Sequence, residues 1–203
     1  LIIENEGSNY LDSWSQDEKQ ILIRKYITAT ESTPYILNLD KRKLTPLAKD
    51  SPVKAEYGWL DWSNNGKKIY YSSDNQSEFK SVRMRNLETG KDSLLIPNLN
   101  WDVSNVFESP DSNWLTFTVN EDGVFKQFVH HIASGRTKAI DNLPFGSIKY
   151  AYFHLNKKST IGFTFIHVSG ASDIYSYDLE TEELIKWFSS KNEKEFPDPE
   201  IIH

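Results

Sequence analysis

A serine nucleophile of the hydrolase-elbow kind sits on Gly-x-Ser-x-Gly, because two glycines make room for the strained turn that exposes the hydroxyl. The nearest approach in these 203 residues is Gly170-Ala171-Ser172-Asp173-Ile174. It lacks the second glycine and falls where a hairpin loop is expected, so it reads as a turn. The absence of cysteine removes thiolate nucleophiles, disulfides and thiolate metal sites. Five histidines remain: His130, His131, His154, His167 and His203. His130 and His131 are adjacent on one expected strand and therefore point to opposite faces, and no second ligand cluster accompanies them at zinc-like spacing. The residues thus assign no catalytic group, no metal site and no cofactor. Ser109-x-Asp111 resembles the start of a glycosidase Asp-box, but the aromatic that should follow comes too early, at Trp114. Among the six tryptophans, Trp14 and Trp62 each precede a turn serine and are explained by packing. Trp59 and Trp101 lie near the connections that lead into expected strands, and these two are the candidate ligand or docking surface. Asn75-Gln76-Ser77 matches a glycosylation acceptor incidentally.

The elements that position these groups come from a repeat. Leu11-Asp12-Ser13-Trp14-Ser15, Leu60-Asp61-Trp62-Ser63, Val106-Phe107-Glu108-Ser109 and a degraded Tyr152-Phe153-His154 each end a strand and open a turn. Ser15, Ser63, Ser109 and His154 advance by 48, 46 and 45 residues, while a second landmark, Leu39, Leu87, Ile132 and Leu179, advances by 48, 45 and 47. Asp17, Asn65, Asp111 and Asn156 occupy one position of the four turns, which assigns them to turn formation. A period of this size in β-patterned sequence means propeller blades. Runs such as Ile174-Tyr175-Ser176-Tyr177-Asp178-Leu179 alternate apolar and polar residues as half-buried strands do. The expected fold is all-β: a β-propeller of four-stranded antiparallel blades, about four of them present and part of a larger ring, with almost no helix.

The blades are expected at about residues 9–47, 57–96, 105–140 and 149–188, with 1–8 the remnant of a preceding blade that contains the strand Leu1-Ile2-Ile3. Residues 189–203 are expected to be a linker towards a further C-terminal domain, since polar sequence there gives way to Phe196-Pro197-Asp198-Pro199-Glu200-Ile201-Ile202-His203. A net charge of −6 argues against nucleic acid, which requires a basic face. No apolar run approaches the roughly 18 residues that span a bilayer. Bacterial cytoplasm and periplasm fit the composition equally.

Ser109-Pro110-Asp111-Ser112-Asn113-Trp114-Leu115 is similar to the Ser-Pro-Asp-Gly-Lys turn of the propellers in the prolyl oligopeptidase family of serine peptidases, which includes dipeptidyl-peptidase-like and acylaminoacyl-peptidase-like enzymes, and of TolB-type proteins. Ser112 stands where that turn usually has Gly. Asp173-Ile174-Tyr175 followed by Asp178-Leu179-Glu180-Thr181 resembles the family's third strand and turn, and Pro199-Glu200-Ile201-Ile202-His203 the segment that joins such propellers to an α/β-hydrolase domain. The resemblance implies a substrate-gating, peptide-selecting domain without catalytic residues, whose partner is a peptide substrate or that hydrolase domain. The alternative is a TolB-like or WD40-like protein-interaction propeller without enzymatic activity. Docking is expected on the rim formed by loops 28–33, 74–78, 120–123 and 169–172 with the inter-blade connections 48–56, 97–104 and 142–147. A partial ring would also expose sheet edges and self-associate.

Overall fold

A computed structural model describes residues 7–47, 54–97 and 99–190. The expected strand Leu1-Ile2-Ile3, the linker beyond residue 190, His203 and part of loop 48–56 lie outside the described residues. Sixteen strands follow one another, with no helix among the described residues. The first sheet contains β1 (Asn9–Trp14), β2 (Gln20–Thr28), β3 (Glu31–Asn38) and β4 (Lys43–Pro46), and the second β5 (Tyr57–Trp62), β6 (Lys68–Ser73), β7 (Ser81–Asn86) and β8 (Asp92–Leu94). The third contains β9 (Val103–Glu108), β10 (Trp114–Glu121), β11 (Val124–His131) and β12 (Thr137–Ala139), and the fourth β13 (Gly146–Phe153), β14 (Thr160–His167), β15 (Ser172–Asp178) and β16 (Leu184–Ser189). Each sheet pairs its strands antiparallel in chain order, which is the organisation of a propeller blade. The chain divides into two compact units, residues 1–108 and 109–203.

The two sequence landmarks are two ends of one hydrogen bond. Leu39, Leu87, Ile132 and Leu179 donate their backbone N–H to the carbonyls of Lys19, Lys67, Asn113 and Ser159, at 2.8–2.9 Å. Each blade thereby fastens the end of its third strand to the turn that closes its first hairpin. Within that turn, Ser15 Oγ donates to Asp17 Oδ1 at 2.7 Å and accepts from Gln20 N at 2.9 Å. Ser63 with Asn65 and Lys68, and Ser109 with Asp111 and Trp114, repeat the pattern. In the fourth blade His154 Nδ1 accepts from Asn156 N and Lys157 N, and the closing bond runs from His154 N to Thr160 O, one residue further along. The turn needs a left-handed residue, supplied by Glu18 (φ 58°), Gly66 (φ 67°) and Ser112 (φ 61°), so two blades place a side chain where glycine is strain-free.

The core of the first unit gathers Leu22 and Leu47 from one blade with Tyr57, Leu60, Trp62, Ile69 and Tyr71 from the next. That of the second unit gathers Val129 and Ile140 with Ile148, Ile161, Phe163, Phe165, Tyr175 and Tyr177. Each core therefore lies between neighbouring blades, sheet face against sheet face.

Candidate binding surface on the innermost strands and the loop rim

In the first unit β1 packs on β5 and β5 on β9, so there the first strands of successive blades gather innermost. An innermost strand is a sheet edge with unpaired backbone groups, and here side chains of the preceding blade cover it. Arg24 Nη1 donates to Tyr57 O (3.1 Å), Ser13 Oγ donates to Leu60 O (3.2 Å), and Ser32 Oγ accepts from Tyr57 N (2.8 Å). Arg24 also grips Asp12 through both carboxylate oxygens, at 3.1 and 3.2 Å. Asp12 is buried at the position that Leu60 and Val106 hold in the next two blades. Burial raises its carboxyl pKa even against the pull of Arg24.

Aromatic side chains are exposed on both faces of β1: Tyr10 shares a face with its cross-strand partner Arg24, and Trp14, paired with Ile21, takes the other. Tyr10, Leu11, Trp14 and Trp59 are exposed. Arg24 lies 5.8 Å from the Tyr10 ring centroid, within cation–π range. Trp59 stands inside β5, and its ring meets Phe107 of β9 edge-on, centroids 6.2 Å apart. Carboxylates border this surface. Burial pushes Asp61 up to about 6, softened by the Ser13 hydroxyl and the Trp62 N–H and reinforced by the negative charges of Glu108 and Asp12. Glu108 accepts from Asn64 N at 2.6 Å and from the Tyr70 hydroxyl at 3.2 Å. Trp101 is exposed in the turn before β9, beside a fastened junction: Lys80 N donates to Asp102 Oδ1, and Val103 N to Lys80 O, both at 2.9 Å. Trp59 thus lies against the C-terminal end of β9, whereas Trp101 precedes its N-terminal end.

The loop rim is held by charge. Lys80 Nζ reaches both carboxylate oxygens of Glu56 at 3.1 Å, and Lys54 pairs with Glu31 at 3.2 Å. Arg83, buried in β7, donates to Ser73 O at 3.4 Å and to Asn75 O, clamping the β6–β7 loop from below. Arg83 and the Asp12–Arg24 pair are not among the residues picked out by motif or spacing. Their signal was present, because each places a charge on the core-facing parity of a strand.

The histidines among the described residues are engaged in structure. His130 is buried, its Nδ1 2.8 Å from Thr137 Oγ1, and burial together with His131 holds its pKa down. His131 Nδ1 accepts from Ser134 N at 3.2 Å and caps a hairpin, as Asn38, Asn86 and Asp178 do in the other blades. His167 Nε2 lies 2.8 Å from Asp173 Oδ2, which Lys186 Nζ also contacts at 2.8 Å. Ser172, the serine of the elbow-like segment, begins β15 and pairs with Ile166 in an ordinary antiparallel ladder.

No family model matches the sequence, and no curated protein matches it. Solved structures do. TolB from Acinetobacter baumannii aligns over 94% of this chain and 46% of its own, with TM-score 0.70 and 14% identity. Prolyl oligopeptidase B from Galerina marginata, solved with a 35mer hydrolysis and macrocyclization substrate, aligns over 92% of this chain and 27% of its own, with TM-score 0.73 and 14% identity. Porphyromonas gingivalis dipeptidyl peptidase 4 aligns over 89% and 32%, with TM-score 0.66 and 12% identity. These are β-propeller blades. Their likeness is to TolB and to prolyl oligopeptidase structures alike, and the chain spans less than half the length of any of the three.

Proposed function

We propose that this chain is the peptide-selecting propeller part of a prolyl-oligopeptidase-like serine peptidase, with catalysis carried by an α/β-hydrolase domain outside these 203 residues. The supporting observation is the inner-strand surface of the first unit: the exposed Trp59 ring, edge-on to Phe107, on a braced backbone that also carries Asp61 and Glu108. Flat aromatic faces accept proline rings and aliphatic side chains, while carboxylates favour a peptide's ammonium or basic groups. The likeness to a prolyl oligopeptidase solved with a 35mer substrate supports the same reading. The rim is the entrance through which a short, unfolded peptide passes and a folded protein does not.

The test is a titration of proline-containing oligopeptides of five to thirty residues, followed by tryptophan fluorescence and calorimetry. Binding weakened by about fivefold or more in Trp59→Ala, with Trp101→Ala affecting the longer peptides, supports the proposal. Equal affinity for folded proteins and peptides favours the second reading, a TolB-like interaction platform, which the 94% alignment with TolB keeps in view. Absence of any peptide binding at millimolar concentration overturns the peptide-selecting role.

A further inference from the structure

Asn65-Gly66 is the one Asn-Gly pair in the chain, and it lies in the turn between β5 and β6. An asparagine followed by glycine is the pair whose side-chain amide the backbone reaches most easily, because glycine has no Cβ to hinder the attacking nitrogen. The turn holds both reacting groups. Asn65 Oδ1 accepts from Ser63 Oγ at 2.8 Å and from Lys67 N at 3.0 Å, while Gly66 N donates to Ser63 O at 2.8 Å. Asn65 is exposed, so water reaches its amide.

Two sister turns show what that amide can become. Asp17 and Asp111 stand at the same position and accept the same two bonds. They come from Ser15 Oγ (2.7 Å) and Lys19 N (3.2 Å), and from Ser109 Oγ (2.6 Å) and Asn113 N (3.2 Å). The Ser15 hydroxyl and the Lys19 N–H hold the Asp17 carboxyl below its ordinary range. At Asp111 burial pushes upward, but Ser109 and Asn113 outweigh it. The length of the second-blade turn, by contrast, is fixed from three sides. Ser63 N donates to Lys68 O and Lys68 N to Ser63 Oγ, both at 2.9 Å. Leu87 N holds Lys67 O at 2.9 Å, and Glu108 Oε2 holds Asn64 N at 2.6 Å. Where the chain has one more residue in this turn, in the fourth blade, a histidine replaces the serine and the closing bond moves to Thr160.

We infer that Asn65 is a deamidation site whose aspartyl product this turn accepts and whose isoaspartyl product it excludes. In the unfolded chain Gly66 N attacks Asn65 Cγ. The N–Cγ bond forms, the Cγ–Nδ2 bond breaks, and the Gly66 amide proton leaves with Nδ2 as ammonia. Water then opens the cyclic imide. Opening at Cγ gives aspartate on the original backbone, with the oxygen that Ser63 and Lys67 already grip. Opening at the Asn65 carbonyl carbon routes the backbone through Cβ and adds a methylene to a turn with no room for it. In the folded chain the bonds to Gly66 N and Asn65 Oδ1 hold the two groups in place, so reaction waits for opening of the turn. The chain thereby records time spent unfolded as one added negative charge in a turn that keeps its shape. This is independent of peptide selection, since no peptide enters the test.

The experiment incubates the 203-residue chain at mildly alkaline pH, folded and in guanidinium, and maps position 65 by mass spectrometry with fragmentation that separates the two isomers. The unfolded sample should gain about 1 Da at this residue, and the folded sample should do so at least about tenfold more slowly. The unfolded sample is then refolded and exposed briefly to protease near its unfolding midpoint. Surviving chains should be enriched at least about threefold in aspartyl over isoaspartyl product. Asn65→Asp should fold and melt no lower than the wild-type chain at neutral pH, since charge-assisted bonds replace neutral ones. An unfolded chain that keeps its amide at position 65 overturns the inference, as does a folded chain that reacts as fast as the unfolded one. Unchanged isomer ratios among the survivors, or an Asn65→Asp chain less stable than wild type, overturn it as well.

Discussion

Asp12 and Asp173 are both buried carboxylates beside a cation, yet their surroundings act on them in opposite directions. Asp12, in the first unit, has Arg24 as its ion-pair partner, and burial still drives its pKa up. At Asp173, in the second unit, burial also pushes upward, but Lys186 and His167 together outweigh it and hold the carboxyl well below the usual range. The seams around them differ in the same way. Blades 1 and 2 are joined at their inner edge by Arg24, Ser13 and Ser32 gripping the backbone of β5. The core between blades 3 and 4 is aromatic, with Phe163 stacked on Tyr175 at 5.7 Å and Phe165 edge-on to it at 6.1 Å. One repeat therefore tolerates two seam chemistries, because the hydrogen bonds that define a blade are internal to it.

That contrast predicts unequal sensitivity to truncation. Phe165→Ala should cost about 3–5 kcal/mol, since a fully buried ring leaves a cavity in a packed aromatic core. Denaturant unfolding followed by near-ultraviolet circular dichroism measures it, and a loss below 1 kcal/mol would mean that the aromatic seam carries little. Arg24→Ala should cost about 3 kcal/mol by stranding the Asp12 charge, whereas Asp12→Leu with Arg24→Met should be neutral or stabilising. If the double variant is as weak as the single, the ion pair itself holds the seam.

Acid should separate the units. The folded pKa of Asp61 is raised to about 6, so its contribution is complete below the unfolded value near 3.8 and is lost as pH rises through 6. Asp173 is depressed, so its contribution is complete above 3.8 and is lost as pH falls through its folded value. Between pH 7 and 5 the first unit should gain up to about 1 kcal/mol, after allowance for the partial exposure of Asp61. The second should weaken, because the unfolded chain takes up a proton that His130, held below its ordinary value by burial, resists. Hydrogen exchange of β2 and β14 peptides, corrected for intrinsic rates, reads both at once. Asp61→Asn should abolish the gain, and parallel weakening of both units would contradict the assignment.

The smallest effect belongs to the shared turn. Glu18→Gly in one unit and Ser112→Gly in the other should each stabilise by about 0.5–1 kcal/mol, because left-handed backbone strain is relieved at a modest entropic cost. Thermal melts distinguish this from destabilisation, which would mean that the side chains make compensating contacts.

Most of the fold was legible in the sequence, because the turn and the third-strand landmark advance together and are bonded to each other. First strands were harder to delimit. β13 begins at Gly146 where alternation suggested Lys149, and β9 at Val103 where it suggested Asn105. Asn105 and Tyr150 are left-handed (φ 52° and 53°), and Tyr150 lies within a register shift, so a bulge reverses the parity that alternation relies on. The surface was only partly legible. Trp59 and Trp101 could be picked from position, whereas Asp12, Arg24 and Arg83 showed only as charges at core-facing positions, and the backbone groups they brace are brought to them by tertiary contact.

The bond between Leu39 and Lys19, and its copies, also acts as a ruler. The bonded residues are 20, 20, 19 and 20 apart in the four blades, while the stretch from each landmark to the next bonded turn varies from 26 to 28. Length thus varies by one residue inside the bonded span and by two between one such span and the next. A designer wishing to lengthen or exchange a loop has a natural insertion point in the connection between β8 and β9, which lies outside every bonded span.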